Sequence, residues 1–149
     1  MTLKESLYSI CLSYVQERIV RITKEIESVQ TSANEENKSS AGDKHETGRA
    51  MAQLEIEKNS KQLQEAKRLE AQLAKIQIDN ISDRIIAGSL VTTTNGIFFI
   101  SISMGVVTYK EQPYFFISPD SPLGMLFLDK KVMDEISFNG KKYVVLAIG

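Results

Sequence analysis

The sequence predicts an α+β protein: an N-terminal antiparallel α-helical coiled-coil hairpin followed by a small β-rich domain with one short helix. Before residue 80, apolar residues recur every three or four positions over two long stretches, as on the buried stripe of a helix. After residue 80, runs of β-branched and aromatic residues flank Asn-Gly dipeptides, the strongest short hairpin signal. We therefore predict a hairpin domain over residues 1–80 and a β-rich domain over 81–149.

The first helix is predicted over residues 3–30 and the second from about 46 to 78. Their apolar stripes consist of Leu3, Leu7, Cys11, Val15, Ile19, Ile22, Ile26 and Val29, and of Met51, Leu54, Leu63, Ala66, Leu69, Leu73 and Ile76. Between Glu57 and Gln62 the second stripe weakens, and we expect looser packing there. An arm of about 28 residues would be ~40 Å long, farther than a core requires.

The predicted elements of the second domain are hairpins over 89–103 and 135–148, a strand over 112–118 and a helix over 121–129. Asn95-Gly96 and Asn139-Gly140 mark the two hairpin turns. Ser121 is the expected N-cap of the helix, with Pro122 at its first position. The helix is expected to lie across the sheet.

Composition excludes several classes of protein. The chain has 149 residues, a formal net charge of −1, one cysteine and one histidine. A disulfide framework and a metal site built from several histidines are therefore excluded, and we interpret Cys11 as a core residue. No signal peptide and no apolar run of roughly 18 residues is present, so we expect a cytoplasmic protein with no membrane partner. No Gly-rich phosphate loop is present, and a self-contained enzyme is not expected.

The polar segment 37–50 joins the helices and carries Asp43 and Glu46. Their spacing is that of a capping box, which Ser40 and Asp43 also offer one turn earlier. Alternatively, the two carboxylates share a divalent cation, since Mg²⁺ prefers oxygen ligands. Two carboxylates rarely complete a Mg²⁺ site, so a partner would have to supply the others. Residues 31–42 are polar, and we expect a mobile loop there, about a dozen residues long. The acidic tip is placed at about 31–46.

A long helical hairpin with an acidic tip, followed by a small β-rich domain, resembles the bacterial Gre transcript cleavage factors. Residues 42–50, GDKHETGRA, resemble the family's Gly-Asp-Leu-Ser-Glu-Asn stretch, so that Asp43 and Glu46 match its two catalytic acids. Residues 117–138 resemble its Ser-Pro-Ile-Ala/Gly…Leu-x-Gly-Lys…Gly-Asp block. The residues that match this block are Ser121, Pro122, Leu123, Lys130 and Asp134.

The resemblance implies an accessory factor of RNA polymerase. Its hairpin would enter the secondary channel, and Asp43 and Glu46 would help to hold a second Mg²⁺, bound only in the complex, and orient a water. The polymerase would then hydrolyse the 3′ end of backtracked RNA by two-metal chemistry. The β-rich domain would be FK506-binding-protein-like and dock at the channel mouth, with no sequence-specific DNA binding. Its matched block residues would serve in docking or in structure.

The sequence departs from the family at several positions. Lys44, His45 and Thr47 replace leucine, serine and asparagine at the tip, and Asp129 and Met133 replace glycines in the second block. Aspartate tolerates a left-handed backbone better than most residues. One alternative is a regulator that occupies the channel and modulates pausing or initiation without cleavage. Another is a coiled-coil adaptor unrelated to transcription, whose β-rich domain binds a peptide.

Overall fold

A computed structural model describes the backbone of residues 1–39 and 43–149, and the side chains of residues 1–35 and 47–149. The elements in chain order are α1 (Leu3–Ser39), α2 (Asp43–Lys75), β1 (Leu90–Thr93), β2 (Gly96–Ile100), β3 (Gly105–Tyr109), β4 (Gln112–Ile117), α3 (Pro122–Phe127), β5 (Glu135–Phe138) and β6 (Lys141–Ile148). The predicted α+β class is thereby confirmed.

The chain divides into two compact units by its contacts. One contains Ser13–Ala71, the middle of the helical region, and the other combines Met1–Leu12 with Gln72–Gly149. The first residues of α1 and the last of α2 thus group with the sheet. The domain boundary at residue 80 stays a prediction.

Both long helices extend beyond their predicted bounds towards the tip. The predicted loop over 31–42 is wrong for residues 31–39, because α1 continues to Ser39, and α2 already begins at Asp43. The segment 31–39 contains neither glycine nor proline, so its polar residues do not prevent a continuous helix. Residues 40–42 lie outside the described residues. At the other end, α2 stops at Lys75, short of the predicted residue 78.

Two pairs of residues fix the antiparallel course of the helices. The Tyr8 hydroxyl donates a hydrogen bond to the Leu73 carbonyl oxygen at 2.7 Å. The pKa of Glu65 is lowered by a hydrogen bond from Arg68 on its own helix, and further by the charge of Arg18 on α1. In each interhelical pair, the two residues are about equally far in sequence from residue 41. This is the pairing expected for two antiparallel helices that are joined near that position.

The buried stripe agrees with prediction only in part on both helices: Leu3, which was assigned to the stripe of α1, is 39% exposed. Four predicted residues of α1 and three of α2 are less than 9% exposed: Leu7, Cys11, Val15, Ile22, Ala66, Leu69 and Leu73. Met51 and Leu54 were wrongly assigned to the stripe, since they are 64% and 62% exposed. Continued towards the tip at helical spacing, the stripe instead passes through Asn59, which is 3% exposed.

A six-stranded sheet with the order β3-β4-β2-β1-β6-β5 forms the second part of the chain. Neighbouring strands are antiparallel except β2 and β4. One face carries an aromatic cluster around Phe98, whose ring lies 5.1 Å from Phe115, 5.0 Å from Phe127 of α3 and 5.7 Å from Tyr143. The predicted helix therefore packs on this face, as expected.

The opposite face of the sheet is covered by the ends of the long helices that belong to the same unit. Because side chains alternate along a strand, Phe99 and Phe116 point away from Phe98, and both are fully buried. The Cys11 thiol lies 3.6 Å from the Ser101 hydroxyl, and Gln72 Nε2 donates to Asp120 Oδ2 at 2.9 Å. The sheet is thus sandwiched between α3 and the base of the hairpin.

Three tight turns connect the antiparallel pairs whose strands are consecutive in the chain. Asn139 and Gly140 form the predicted turn between β5 and β6, with φ of 49° and 78°. The first predicted hairpin is also present, but Gly96 is the first residue of β2 instead of a turn residue. A third turn, at Lys110 and Glu111, has φ of 48° and 68° and was not predicted, because neither residue is a usual turn residue.

The backbone of Met133 generates a stability prediction. Met133 has φ of 78° and is 70% exposed, so its side chain gains little packing in a left-handed conformation. Replacement Met133→Gly should remove strain and raise the free energy of unfolding by about 0.5–1 kcal/mol, measured by urea denaturation. Met125→Gly is the control: it lies in α3 at 59% exposure and should lose about 1 kcal/mol. A loss of stability in Met133→Gly would contradict the strain argument.

Candidate functional site

The predicted acid pair lies at the beginning of α2. Asp43 is the first residue of this helix, and Glu46 lies one turn later. Side chains three residues apart on a helix are neighbours, and the first turn favours negative charge. The side chains of both acids lie outside the described residues, so the capping box and the Mg²⁺ site both stay predictions.

The acid pair lies at the start of one long helix and shortly after the end of another. At 1.5 Å per residue, the 37 residues of α1 make a helix about 55 Å long, and the 33 of α2 one of about 50 Å. Both exceed the ~40 Å predicted from the shorter stripes. Residues 31–39 therefore extend the arm instead of forming its loop.

Exposed apolar side chains follow the acids along α2. Met51 and Leu54 are directed to solvent, whereas Asn59 is buried and its Nδ2 donates to no described atom. The apolar periodicity had predicted that Met51 and Leu54 are buried. A helical wheel centred on Ala66, Leu69 and Leu73 would have revealed the true stripe.

The residues of the second block surround α3 and the turn that follows it. Ser121 is the N-cap: its Oγ accepts a hydrogen bond from the Gly124 amide at 3.1 Å, and Pro122 follows at the first position. Leu123 packs against the aromatic core. Ser121 and Pro122 therefore have the predicted capping geometry, while a docking role for them stays a prediction.

Lys130 and Asp134 stabilise the connection from α3 to β5. The Lys130 carbonyl oxygen accepts from the Ile85 amide at 2.9 Å. Asp134 Oδ2 accepts from the Lys131 amide at 2.8 Å, and the Asp134 carbonyl accepts from Val145 on β6 at 2.9 Å. These contacts give both residues a structural role within the block, which leaves the predicted docking role open.

Apolar side chains are exposed beside this block. Met125 and Leu126 of α3, and Val132 and Met133 of the next turn, are 40% to 70% exposed. The Met133 amide donates to the Val145 carbonyl oxygen, so this turn lies beside β6. Exposed apolar residues grouped in this way are typical of protein-binding surfaces.

The described part of the chain contains neither a metal-binding cluster nor a membrane span. Among those residues, no group of three or more His, Cys, Asp or Glu side chains could hold a metal ion. No helix among them is both long and apolar enough to cross a membrane. The predicted shared Mg²⁺ site would involve Asp43 and Glu46, whose side chains lie outside the described residues.

Comparison with known proteins adds no relative: no protein-family model matches the chain, and neither does any curated protein.

Cys11 yields a pH-dependent prediction. Burial raises the pKa of its thiol to about 11, partly offset by the hydrogen bond with Ser101. The unfolded thiol ionises at lower pH, so the folded state loses stability as pH rises from about 9 to 11. Below that window both states are protonated and the full contribution is present.

The measurement compares the unfolding free energies of the wild type and Cys11→Ala across this range. Their difference should shrink by about 2 kcal/mol between pH 9 and pH 11. The alanine variant retains every lysine and tyrosine that titrates nearby, so it isolates the thiol. A difference independent of pH would contradict the account.

Proposed function

We propose that the chain is a divergent member of the Gre family: an RNA polymerase-binding factor whose hairpin enters the secondary channel and stimulates cleavage of backtracked RNA. The observation that carries the proposal is the position of the acid pair. Asp43 is the first residue of α2 and lies four residues beyond Ser39, the last residue of a helix about 55 Å long. Acids at the junction of two helices of this length suit a deep site in a partner.

A second observation supports the resemblance independently of the tip. Asp129 and Met133, which stand where the family block has glycines, have φ of 65° and 78°. These are left-handed conformations, which glycine adopts without strain. At both positions the backbone therefore adopts a conformation that is suited to glycine, although neither residue is a glycine. The matched positions Lys130 and Asp134 lie within that same path.

The mechanism assigns limited roles to this chain. Two carboxylates on adjacent turns suit a cation that also takes ligands from polymerase, RNA and water. Mg²⁺ bound there would polarise the phosphodiester and lower the pKa of a water. Asp43 and Glu46 would orient that water and position the cation, and the helix would exclude bulk solvent around them. Exposed apolar residues beside the second block, including Met125 and Met133, would dock the β-rich domain.

A non-cleaving regulator in the same channel is the second candidate. Lys44 lies between the two acids, where the resembled stretch has leucine. Its positive charge would compete with a divalent cation for the carboxylates. Such a protein would compete with other channel-binding factors and change pausing or initiation without shortening the RNA.

The test is RNA cleavage in stalled, backtracked complexes of the cognate polymerase with Mg²⁺. Asp43→Asn/Glu46→Gln should lower the cleavage rate at saturation by about a hundredfold or more while leaving polymerase affinity unchanged. The matched control, Glu55→Gln/Glu70→Gln, removes the same charge from exposed positions of α2 and should cleave normally.

Three outcomes separate the candidates. Cleavage that survives the Asp43→Asn/Glu46→Gln substitution would rule out the catalytic role of the acids. Binding of all three proteins without cleavage by any would favour the channel-occupying regulator. Failure of the wild type to bind polymerase would contradict both and favour the adaptor.

A further inference from the structure

Two large apolar side chains near the tip face solvent. Met51 and Leu54 are 64% and 62% exposed. They lie about 12 and 16 Å along the helix axis from Asp43, and residues three apart share one face of a helix. We call this pair the near-tip patch.

The stripe next to the near-tip patch has the opposite chemistry. Asn59 is 3% exposed, and its Nδ2 has no hydrogen-bond acceptor among the described residues. Hairpin stability alone favours an apolar residue at 59 and polar residues at 51 and 54, because unpaired buried amides and exposed apolar groups are both unfavourable. Local departures of this kind are concentrated at functional sites.

We infer that the near-tip patch is a second contact surface, which packs on an apolar protein surface lining the path to the site that receives the tip. The inference rests on the proposed function, under which that surface is the wall of the polymerase channel. A partner that encloses Asp43 and Glu46 must also surround the helix about 12–16 Å behind them. The patch is then buried by the same insertion that delivers the acids.

A second copy of this chain fits the patch less well. Stable protein dimers bury about 800 Å² on each partner, far more than two side chains supply. As part of a larger interface, however, two large apolar side chains contribute substantially to the binding free energy, because their exposed apolar surface is removed from water. The patch therefore adds affinity to insertion without driving self-association.

The experiment measures the affinity of the full chain for immobilised cognate core polymerase by biolayer interferometry. Met51→Gln/Leu54→Gln should raise the Kd by about 10–100-fold. Val20→Gln is the matched control: Val20 is an apolar residue on α1 that is 52% exposed and lies about 30 Å along the helix from Ser39. Its Kd should stay within about twofold of the wild type, as for most surface substitutions.

A second readout distinguishes contact from folding or chemistry. Because Met51 and Leu54 are exposed, the double variant should melt within about 2 °C of the wild type. At saturating concentration it should support the wild-type cleavage rate, since it retains both acids. Asp43→Asn/Glu46→Gln should show the reverse: unchanged affinity and lost cleavage.

Each remaining outcome counts against the inference. If the Met51→Gln/Leu54→Gln variant binds polymerase as tightly as the wild type does, the near-tip patch is not a contact surface. The proposed function would then remain intact. Dimerisation of the wild type by light scattering, abolished in the double variant, would make the occupant a second copy. Absence of any wild-type binding to polymerase would overturn the proposed function and, with it, this inference.

Discussion

The attachment of the two long helices to the sheet is the constraint on which the rest of the structure depends. Two helices in a hairpin bury only one stripe each, whereas the helix ends that group with the sheet gain a third layer. There Tyr8 bonds to Leu73, Cys11 lies against Ser101, and Gln72 bonds to Asp120.

The buried stripe of the long helices changes its chemistry along α2. In the unit that contains the sheet the stripe includes fully buried Leu7, Cys11 and Leu73, whereas in the other unit Asn59 occupies a buried position of α2. Nearer the start of α2, large apolar side chains such as Met51 are exposed. A segment selected for stability alone would bury its apolar residues and expose its polar ones. A buried polar residue beside exposed apolar residues suits a segment that completes its packing inside a partner.

Much of the fold could be predicted from local signals that depend on one or two residues. Asn139-Gly140 and the Ser121-Pro122 helix start were confirmed, because their turn and cap geometries follow from residue type. Strand β3 was not predicted: its turn, Lys110-Glu111, adopts positive φ without glycine or asparagine. That conformation is imposed by pairing with β4, which no local signal reveals.

The candidate site was harder to predict in detail. Polarity of residues 31–39 was misinterpreted as a loop, although polar residues also form exposed helix when no glycine or proline intervenes. Apolar spacing placed Met51 and Leu54 in the stripe, since periodicity identifies an apolar face but not which helix, or which partner, covers it. The acids Asp43 and Glu46 were found by their position between two stripes. Carboxylates can both cap a helix and bind a metal ion, so the spacing of the two acids does not decide between these two roles.

The proposed function requires the tip to reach the catalytic metal of RNA polymerase. The most direct measurement replaces the catalytic Mg²⁺ with Fe²⁺ in a complex of the polymerase with this chain and generates hydroxyl radicals at the metal. Radicals act only close to their source, so backbone scission of this chain maps whatever lies beside the active centre. We predict scission confined to the region around residues 40–47 and competed by excess Mg²⁺. Scission within residues 81–149, or none in a complex shown to be intact, would contradict the claim.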